Sequence, residues 1–368
     1  MSGLIKRFLF LTIVILFLIS RSILSAWELG EPQIDFKPKA YAAPKINDYI
    51  LIDGKINDIE WLEAAWTDYF VDIQGDSQPA PRYKTRVKMM WNDYYFYIAA
   101  KLSEPHVWGT LQKRDSVIFY DNDFEVFIDP DGDTHNYFEL EINALGTVWD
   151  LLLLNPYRDG GQVAIDSWDI RGLQSAVYVD GTVNDPLSRD NAWYVELGIP
   201  WSVLEETVNT APPKDGDYWR VNFSRVQWQH EIIGDKYTKK EGVSEDNWVW
   251  SPQGLINMHY PEMWGYVYFF EKLPTSDGKV QGFIAEEEGK WLLRQLYYKM
   301  YNFWQTNGYY TDDLQKLDYT PADAGLFQLP PRLETTSSLY EASLKLPGSD
   351  ERIHIDNSGR TWRSKINN

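Results

Sequence analysis

The sequence contains no cysteine, and this absence excludes several kinds of chemistry. Disulfide bonds, thiolate catalysis, zinc–thiolate sites and lipid attachment to an N-terminal cysteine are ruled out, while oxidising and reducing compartments both stay open. Basic residues are also scarce, with 35 Lys and Arg against 54 Asp and Glu and a formal net charge of -19. Nucleic acids and anionic membranes select clustered positive charge, so we expect neither as a partner.

The motifs of common enzyme classes are missing as well. The sequence has no His-Glu-x-x-His helix, no Gly-x-Ser-x-Gly elbow, no phosphate-binding glycine loop and no dinucleotide fingerprint. Histidines are few and scattered, at His106, His135, His230, His259 and His354. A metal centre built on histidine would therefore need the fold to gather them.

The N-terminus carries an apolar run over residues 8–19, directly after Lys6 and Arg7. This run is shorter than the roughly 20 residues that span a bilayer, which is typical of a signal peptide. We predict a signal peptide over residues 1–26, cleaved near Ala26, or alternatively an uncleaved anchor that would be the only membrane contact. Either form predicts export, to the periplasm, the cell surface or the extracellular space. Residues 27–44 are predicted to be a spacer.

Short alternating segments separated by turns dominate the rest of the chain. "TRVKMMW" and "YYFYIAAKL" flank Asn92-Asp93 and predict a β-hairpin. Many such segments with only brief helical pieces favour an antiparallel β-sandwich over residues 45–272, of the jelly-roll or immunoglobulin-like kind. Residues 273–368 are predicted to form an extension with an amphipathic helix, ended by Gly308, and two strands of a small β appendage.

Carboxylates in "FEVFIDPDGDTHNYFELEIN" are the candidates for catalysis. Glu139 and Glu141 share one strand face because side chains alternate, and Glu125 is predicted to lie on a neighbouring strand. Two acids about 5 to 9 Å apart are what a glycosidase needs. The alternative is that these carboxylates are solvated or only hydrogen-bonded.

The segment Asp129-Pro130-Asp131-Gly132-Asp133 offers alternate carboxylates in a tight turn. Such oxygens suit a structural calcium ion, although the spacing is not that of an EF-hand. A polar β-turn is the alternative, since Asp-Gly favours one by itself. No other cofactor is expected.

Aromatic residues make up 15% of the chain, with 17 Trp, and they concentrate in residues 247–269. Such rings fill a core or stack on the C–H faces of a sugar whose hydroxyls bind polar side chains. We predict that Trp248 and Trp264 are core residues, whereas Trp250 and His259 face a site. Trp149, beside Asp150, is a further candidate ring.

The order of these pieces resembles the family 9 carbohydrate-binding modules. "ILIDGKINDIEWLEA", "VKMMWNDYYFYIAAKLSEPHVW", "DNDFEVFIDPDGD" and "MHYPEMWGYVYF" are similar to four segments of that family, over roughly residues 45–270. The resemblance implies a β-sandwich, often with bound calcium, that holds a terminal sugar between two aromatic rings.

The resemblance also implies site residues. The first ring corresponds to Phe119 and the strand acid to Glu125, while Glu141 stands where the family can have Arg. The second ring falls near His259, and the "NPYRDGG" loop adds Arg158 to a pocket that is rebuilt relative to the family.

We therefore predict an exported, non-catalytic protein that binds a poly- or oligosaccharide and acts beside glycoside hydrolases in carbohydrate catabolism. One alternative is a glycoside hydrolase, endo-xylanase-like, or its accessory subunit, using Glu125 with Glu141 or Glu139. The other is a surface scaffold that binds a protein partner.

Overall fold

The computed structural model describes residues 28–208, 211–274, 280, 284–321 and 324–366. The predicted signal peptide therefore lies outside the described residues. The chain divides into two compact units, one spanning residues 32–283 and the other combining residues up to 31 with residues from 284 onward. Among the described residues, no helix has the length and apolar character needed to cross a membrane.

Strands make up most of the regular secondary structure in the unit of residues 32–283. They are β1 (Ala40–Pro44), β2 (Val71–Asp72), β3 (Thr85–Trp91), β4 (Tyr95–Ser103), β5 (Asp123–Asp129), β6 (Tyr137–Asn143), β7 (Val148–Leu153), β8 (Ala164–Ile165), β9 (Gln174–Asp180), β10 (Ala192–Pro200), β11 (Tyr218–Gln227), β12 (His230–Ile233), β13 (Lys236–Lys239), β14 (Asp246–Val249) and β15 (Gly265–Phe270). The helical pieces are α1 (Trp201–Leu204) and 3₁₀ turns at Ile59–Leu62, Ile118–Tyr120, Tyr157–Asp159 and Pro261–Met263.

Two sheets face each other across one core. The larger sheet has the order β1-β15-β11-β5-β6-β7-β8, with β14 and β2 attached beside β11, and the smaller has the order β3-β4-β10-β9. Alternate residues from both, such as Val126 and Leu140 on one side and Met89 and Ile98 on the other, are buried together between the sheets. This packing of two apolar faces confirms the predicted β-sandwich, which is antiparallel apart from the β1–β15 pair.

Local sequence signals fixed the hairpin between β3 and β4. The Asn92 side-chain oxygen accepts hydrogen bonds from the backbone N–H groups of Tyr94 and Tyr95, at 2.9 and 2.8 Å, and so closes the turn. The spacer prediction is wrong for residues 40–44, which form strand β1. Their small apolar side chains at Ala42 and Ala43 are buried against the parallel strand β15.

A buried carboxylate anchors the opening turn of this unit. Glu196 on β10 is fully buried and accepts four hydrogen bonds, from the backbone N–H groups of Asp53, Gly54 and Ile56 and from the Trp61 indole. Gly54 has a φ of +84°, and a Cβ there would lie 2.7 Å from the backbone of Tyr178. The "IDGKINDIEW" segment is therefore held on the outer face of the smaller sheet.

The second unit contains the predicted helix, α2 (Ala285–Asn307), which ends at Gly308 in the left-handed region. Leu292, Leu293, Leu296 and Met300 are its buried apolar residues. The appendage has four strands rather than two, β16 (Arg332–Thr335), β17 (Tyr340–Lys345), β18 (Glu351–Asp356) and β19 (Thr361–Lys365). The predicted second strand is in fact a hairpin, because the chain turns between Asp356 and Gly359.

The segment before the sandwich belongs to this second unit. The backbone N–H of Leu29 donates to the Asn302 side-chain oxygen at 2.7 Å, and the Asn302 amide donates to the Leu29 carbonyl at 3.1 Å. Lys299 also pairs with Glu31 at 2.9 Å. The segment around Leu29 is thus tied to helix α2.

Candidate functional site

A cleft of about 380 Å³ opens on the outer face of the larger sheet. Five of the predicted binding residues line it, and so does Glu139 from the predicted catalytic set. These six residues are Phe119, Glu125, Glu139, Glu141, Trp149 and His259. Tyr157, Phe127, Asn247, Glu245 and Asn257 are among the other lining residues. The fold thus gathers most of the predicted residues into one place.

Strand register explains why these side chains meet. Glu125 on β5 is paired with Glu141 on β6, and Glu141 is paired with Trp149 on β7, so the three form a row across the sheet. Their sequence neighbours Val126, Leu140 and Val148 point into the core. Because side chains alternate along a strand, burying those neighbours turns the row outward into the cleft.

Loops supply the aromatic walls above this row. Phe119 comes from the 3₁₀ turn Ile118–Tyr120, and its backbone N–H donates to a Glu141 carboxylate oxygen at 2.9 Å. Tyr157 comes from the turn Tyr157–Asp159, is 49% exposed, and packs edge-on against His259 with ring centroids 4.5 Å apart. The cleft therefore combines rings that a sugar face can stack on with carboxylates that can bind hydroxyl groups.

The carboxylates of the cleft share a desolvated environment. Burial raises the pKa of Glu125 to about 7. Burial, with the nearby Glu125 charge, also raises the pKa values of Glu139 and Glu141 well above their ordinary value. Burial and the Glu125 charge raise the pKa of Asp123, beside the row, in the same way. Like charges held together away from water disfavour full ionisation of the cluster.

His259 is held as a neutral ring. Burial and, to a smaller extent, the nearby Arg158 charge lower its pKa to about 3. Its Nδ1 lies 2.9 Å from the Tyr137 hydroxyl, so the ring is fixed in orientation. Neutral His259 can therefore exchange hydrogen bonds with a ligand without adding a positive charge to the cleft.

Arg158 lies outside the cleft lining. Its guanidinium pairs with Glu262 at 3.0 Å, reaches the His259 carbonyl at 3.4 Å and stacks 4.5 Å above the Tyr260 ring. These contacts bury its side chain to 3% exposure. Arg158 supports the loop that carries His259, and its neighbour Tyr157 is the residue of this loop that faces the ligand space.

The placement of Trp250 in the site is wrong. Trp250 is 2% exposed, belongs to the core between the sheets and packs against Phe223. Gly265 makes room for it, since a Cβ at that position would lie 2.4 Å from the indole ring. Trp248 shares this core, and Trp264 is fully buried as predicted. Strand alternation thus puts Trp248 and Trp250 on the same inward face.

The predicted calcium loop brings three carboxylates together. Oxygens from Asp129, Asp131 and Asp133 lie within 4.8 Å of one another. Backbone N–H groups of Gly132 and Thr134 donate to Asp129 at 3.0 and 2.9 Å, which shapes the turn. Hard oxygen donors in this arrangement fit a calcium ion, and a polar turn alone would also give these hydrogen bonds.

A second cleft, of about 490 Å³, lies beside residues 167–173. Its lining is mainly polar and includes Arg114, Arg171, Asp169 and Glu206, with Trp168 as its one aromatic ring. The cleft over β5–β7 carries five rings and four carboxylates, so it is the stronger candidate for sugar recognition.

Sequence reasoning missed part of the site. Tyr157 lies beside Arg158 in the "NPYRDGG" loop, and the sequence favoured Arg158 as the site residue. Glu245 and Asn247 flank the aromatic stretch and line the cleft, and their polarity beside that stretch was the available signal. Asp123 precedes Glu125 by two positions and therefore shares its strand face, which was the available signal for this residue.

Comparison with known proteins adds a family match. Residues 52–217 match the family model described as "Carbohydrate family 9 binding domain-like", which confirms the resemblance inferred from the sequence. No protein of curated function matches this chain.

Solved structures with a similar fold share little sequence. A candidate carbohydrate-binding protein from Bacteroides uniformis ATCC 8492 has 16% identity and a TM-score of 0.46, over 63% of this chain and 99% of that one. A family 9 carbohydrate-binding module from Caldicellulosiruptor kristjanssonii in complex with cellotriose has 14% identity and a TM-score of 0.42, over 66% of this chain and 98% of that one. A family 9 carbohydrate-binding module from the same organism in complex with glucose has 15% identity and a TM-score of 0.42, over 64% of this chain and 98% of that one.

Proposed function

We propose that this protein binds a poly- or oligosaccharide in the cleft over β5–β7, and the match of residues 52–217 to the model described as "Carbohydrate family 9 binding domain-like" supports the proposal. The observation that carries the proposal is the row of Glu125, Glu141 and Trp149 beneath the rings of Phe119 and Tyr157. An acidic floor beside flat rings is complementary to hydroxyl groups and C–H faces.

The charge of the cleft restricts the ligand. Its lining contains four Glu and no Lys or Arg, so a sugar acid would meet repulsion. We therefore propose a neutral glycan. A shallow site that stacks one or two sugar rings corresponds to dissociation constants of roughly micromolar to millimolar, or about 4 to 8 kcal/mol.

Calorimetry on the full chain with neutral oligosaccharides of glucose, xylose and mannose tests the proposal. Tyr157→Ala and Trp149→Ala should each weaken binding roughly tenfold or more. Each substitution removes a ring whose stacking on the sugar is worth about 1 to 3 kcal/mol. Tyr94→Ala is the matched control. Tyr94 is 60% exposed and stacks on Tyr49, far from the cleft lining, so its loss should leave the affinity unchanged.

Two results would contradict this assignment. Binding that survives both cleft variants and is lost in Tyr94→Ala would move the site to the smaller sheet. Absence of binding to any glycan would favour the scaffold alternative, in which the second unit binds a protein partner.

Hydrolysis is the second candidate, favoured by the raised pKa values of the cleft carboxylates, which suit a general acid. The spacing restricts it. Oxygens of Glu125 and Glu141 lie within 4.8 Å of one another, which leaves no room for the attacking water of an inverting mechanism, so hydrolysis by this pair would have to be retaining. Sugar release that is abolished in Glu125→Gln or Glu141→Gln while binding persists would establish an enzyme; no release from the unaltered protein would exclude one for the glycans tested.

We also propose export and a role beside glycoside hydrolases in carbohydrate catabolism. The charged and apolar residues at the N-terminus support export, and the family supports the catabolic role. Fractionation of producing cells tests the first, because an exported protein accumulates outside the cytoplasm. Calcium in the loop of Asp129, Asp131 and Asp133 is proposed as a structural ion that holds the end of β5.

A further inference from the structure

A buried carboxylate beside the cleft, on the same strand face as Glu125, has no hydrogen-bond partner for one of its oxygens. Asp123 is fully buried; one oxygen accepts from the backbone N–H of Val226 at 3.1 Å, while Oδ2 has no partner. Asp123 is not part of the cleft lining. A sugar in the cleft therefore does not supply the missing partner of this oxygen.

Two lining carboxylates approach the same point. Oxygens of Asp123, Glu125 and Glu141 lie within 4.8 Å of one another, and all three residues are buried. One Glu141 oxygen is already engaged by the Phe119 backbone N–H, which fixes the carboxylate in place. The three oxygens are thus close enough together to bind one ion.

No basic side chain neutralises this cluster. Among the described residues, no Lys, Arg or His nitrogen lies within 4.0 Å of Asp123, Glu125 or Glu141. Lys239 acts on Asp123 only through its charge at longer range, and its ammonium stands over the Trp228 ring at 3.4 Å from its centroid. Buried carboxylates without a counter-charge are costly, and a divalent cation supplies two positive charges in the volume of one atom.

We propose that Asp123, Glu125 and Glu141 bind a divalent cation of the calcium type at the edge of the cleft. Calcium takes oxygen ligands at 2.3–2.6 Å, so two of its ligands on opposite sides lie about 4.8 Å apart, which the observed spacing accommodates. Magnesium demands a stricter octahedral geometry and retains several waters, for which this buried space is less suited. The site is distinct from the Asp129 loop and does not depend on whether the cleft binds sugar.

A cation here would also fix the positions of side chains that line the neighbouring cleft. It would hold the Glu125 and Glu141 carboxylates in fixed positions, and through Glu141 it would order the backbone of Phe119. Lining residues supported in this way keep their geometry before a ligand arrives.

Calcium binding to the chelator-treated full chain tests the proposal, by equilibrium dialysis and calorimetry. The measurement is made in an Asp131→Asn, Asp133→Asn background, which disables the neighbouring loop. One equivalent of calcium should remain bound there, and both Asp123→Asn and Glu141→Gln should remove it. These amides are isosteric and keep the oxygens that accept from Val226 and Phe119. Glu245→Gln, a rim acid outside the cluster, should retain the equivalent.

Melting temperatures separate a lost site from a lost fold. Without calcium, Asp123→Asn and Glu141→Gln should melt at or above the temperature of the background protein, because each removes a buried charge. With calcium, only the background protein should gain stability. A background protein that binds no calcium, or variants that bind it as well as the background does, would overturn the proposal.

Discussion

Replacing Glu196 with alanine should destabilise the sandwich by breaking the anchor of its opening turn. One Glu196 oxygen accepts from Asp53 and Gly54 at 3.1 and 2.7 Å, and the other accepts from Ile56 and Trp61 at 3.1 and 2.9 Å. All four donors lose their acceptor together in Glu196→Ala. The turn would also lose the contact that holds it on β10.

The magnitude follows from which donors stay buried. The Gly54 N–H and the Trp61 indole N–H form buried hydrogen bonds, whereas the bonds of Asp53 and Ile56 are partly exposed and water can replace them. Each unsatisfied buried donor costs about 1–3 kcal/mol, so we expect a loss of about 4 kcal/mol. Glu196→Gln keeps one side-chain oxygen as an acceptor, so its loss of unfolding free energy should be about half as large.

Urea unfolding of the full chain, with each variant compared with the unaltered protein, measures these losses. A double-mutant cycle with Trp61→Phe isolates the indole bond, because the coupling energy of the pair is absent once either partner is removed. Glu205→Ala, an exposed acid nearby, is the control. A loss below about 1 kcal/mol in Glu196→Ala, or no coupling to Trp61, would refute the reasoning from buried donors.

Three further predictions concern single side chains. Trp250→Phe should lower the stability of the sandwich by roughly 1–3 kcal/mol while glycan affinity stays within twofold, since the ring is core; a selective loss of affinity in calorimetry would contradict its placement. The folded pKa of His259 lies at about 3, below its unfolded value of 6.5, so the unfolded state takes up a proton that the folded state refuses. This contribution to stability is complete above pH 6.5 and is lost at about 1.4 kcal/mol per pH unit as the pH falls toward 3, and His259→Gln should abolish it; unfolding curves with equal pH slopes in both proteins would disprove this. Asn302→Ala should remove the hydrogen-exchange protection of the Leu29 amide, at a cost of about 1–2 kcal/mol, and unchanged protection would show that the contact is dispensable.

Elements with a strong local pattern were predictable from the sequence. Asn92-Asp93 closes its hairpin through its own side chain, and helix α2 follows its three- and four-residue spacing to Gly308. The hairpin of β12 and β13 was not predicted, because it lacks an apolar face of its own. It is held by distant partners instead, since Tyr237 donates toward Asp185 and stacks on Trp108.

The sequence by itself determined the sandwich, the family resemblance and the residue types of the site. Alternation along single strands decides which side chains leave the core, and Glu125, Glu141 and Trp149 do line the cleft. Only the tertiary structure decided which strands are neighbours, and hence that Glu141 lies beside Asp123 and Glu125. It also decided that Trp250 fills the core and that Tyr157, rather than Arg158, faces the cleft. These outcomes depend on strand pairing and on ion pairs between residues about a hundred positions apart, such as Arg158 with Glu262, which no local pattern encodes.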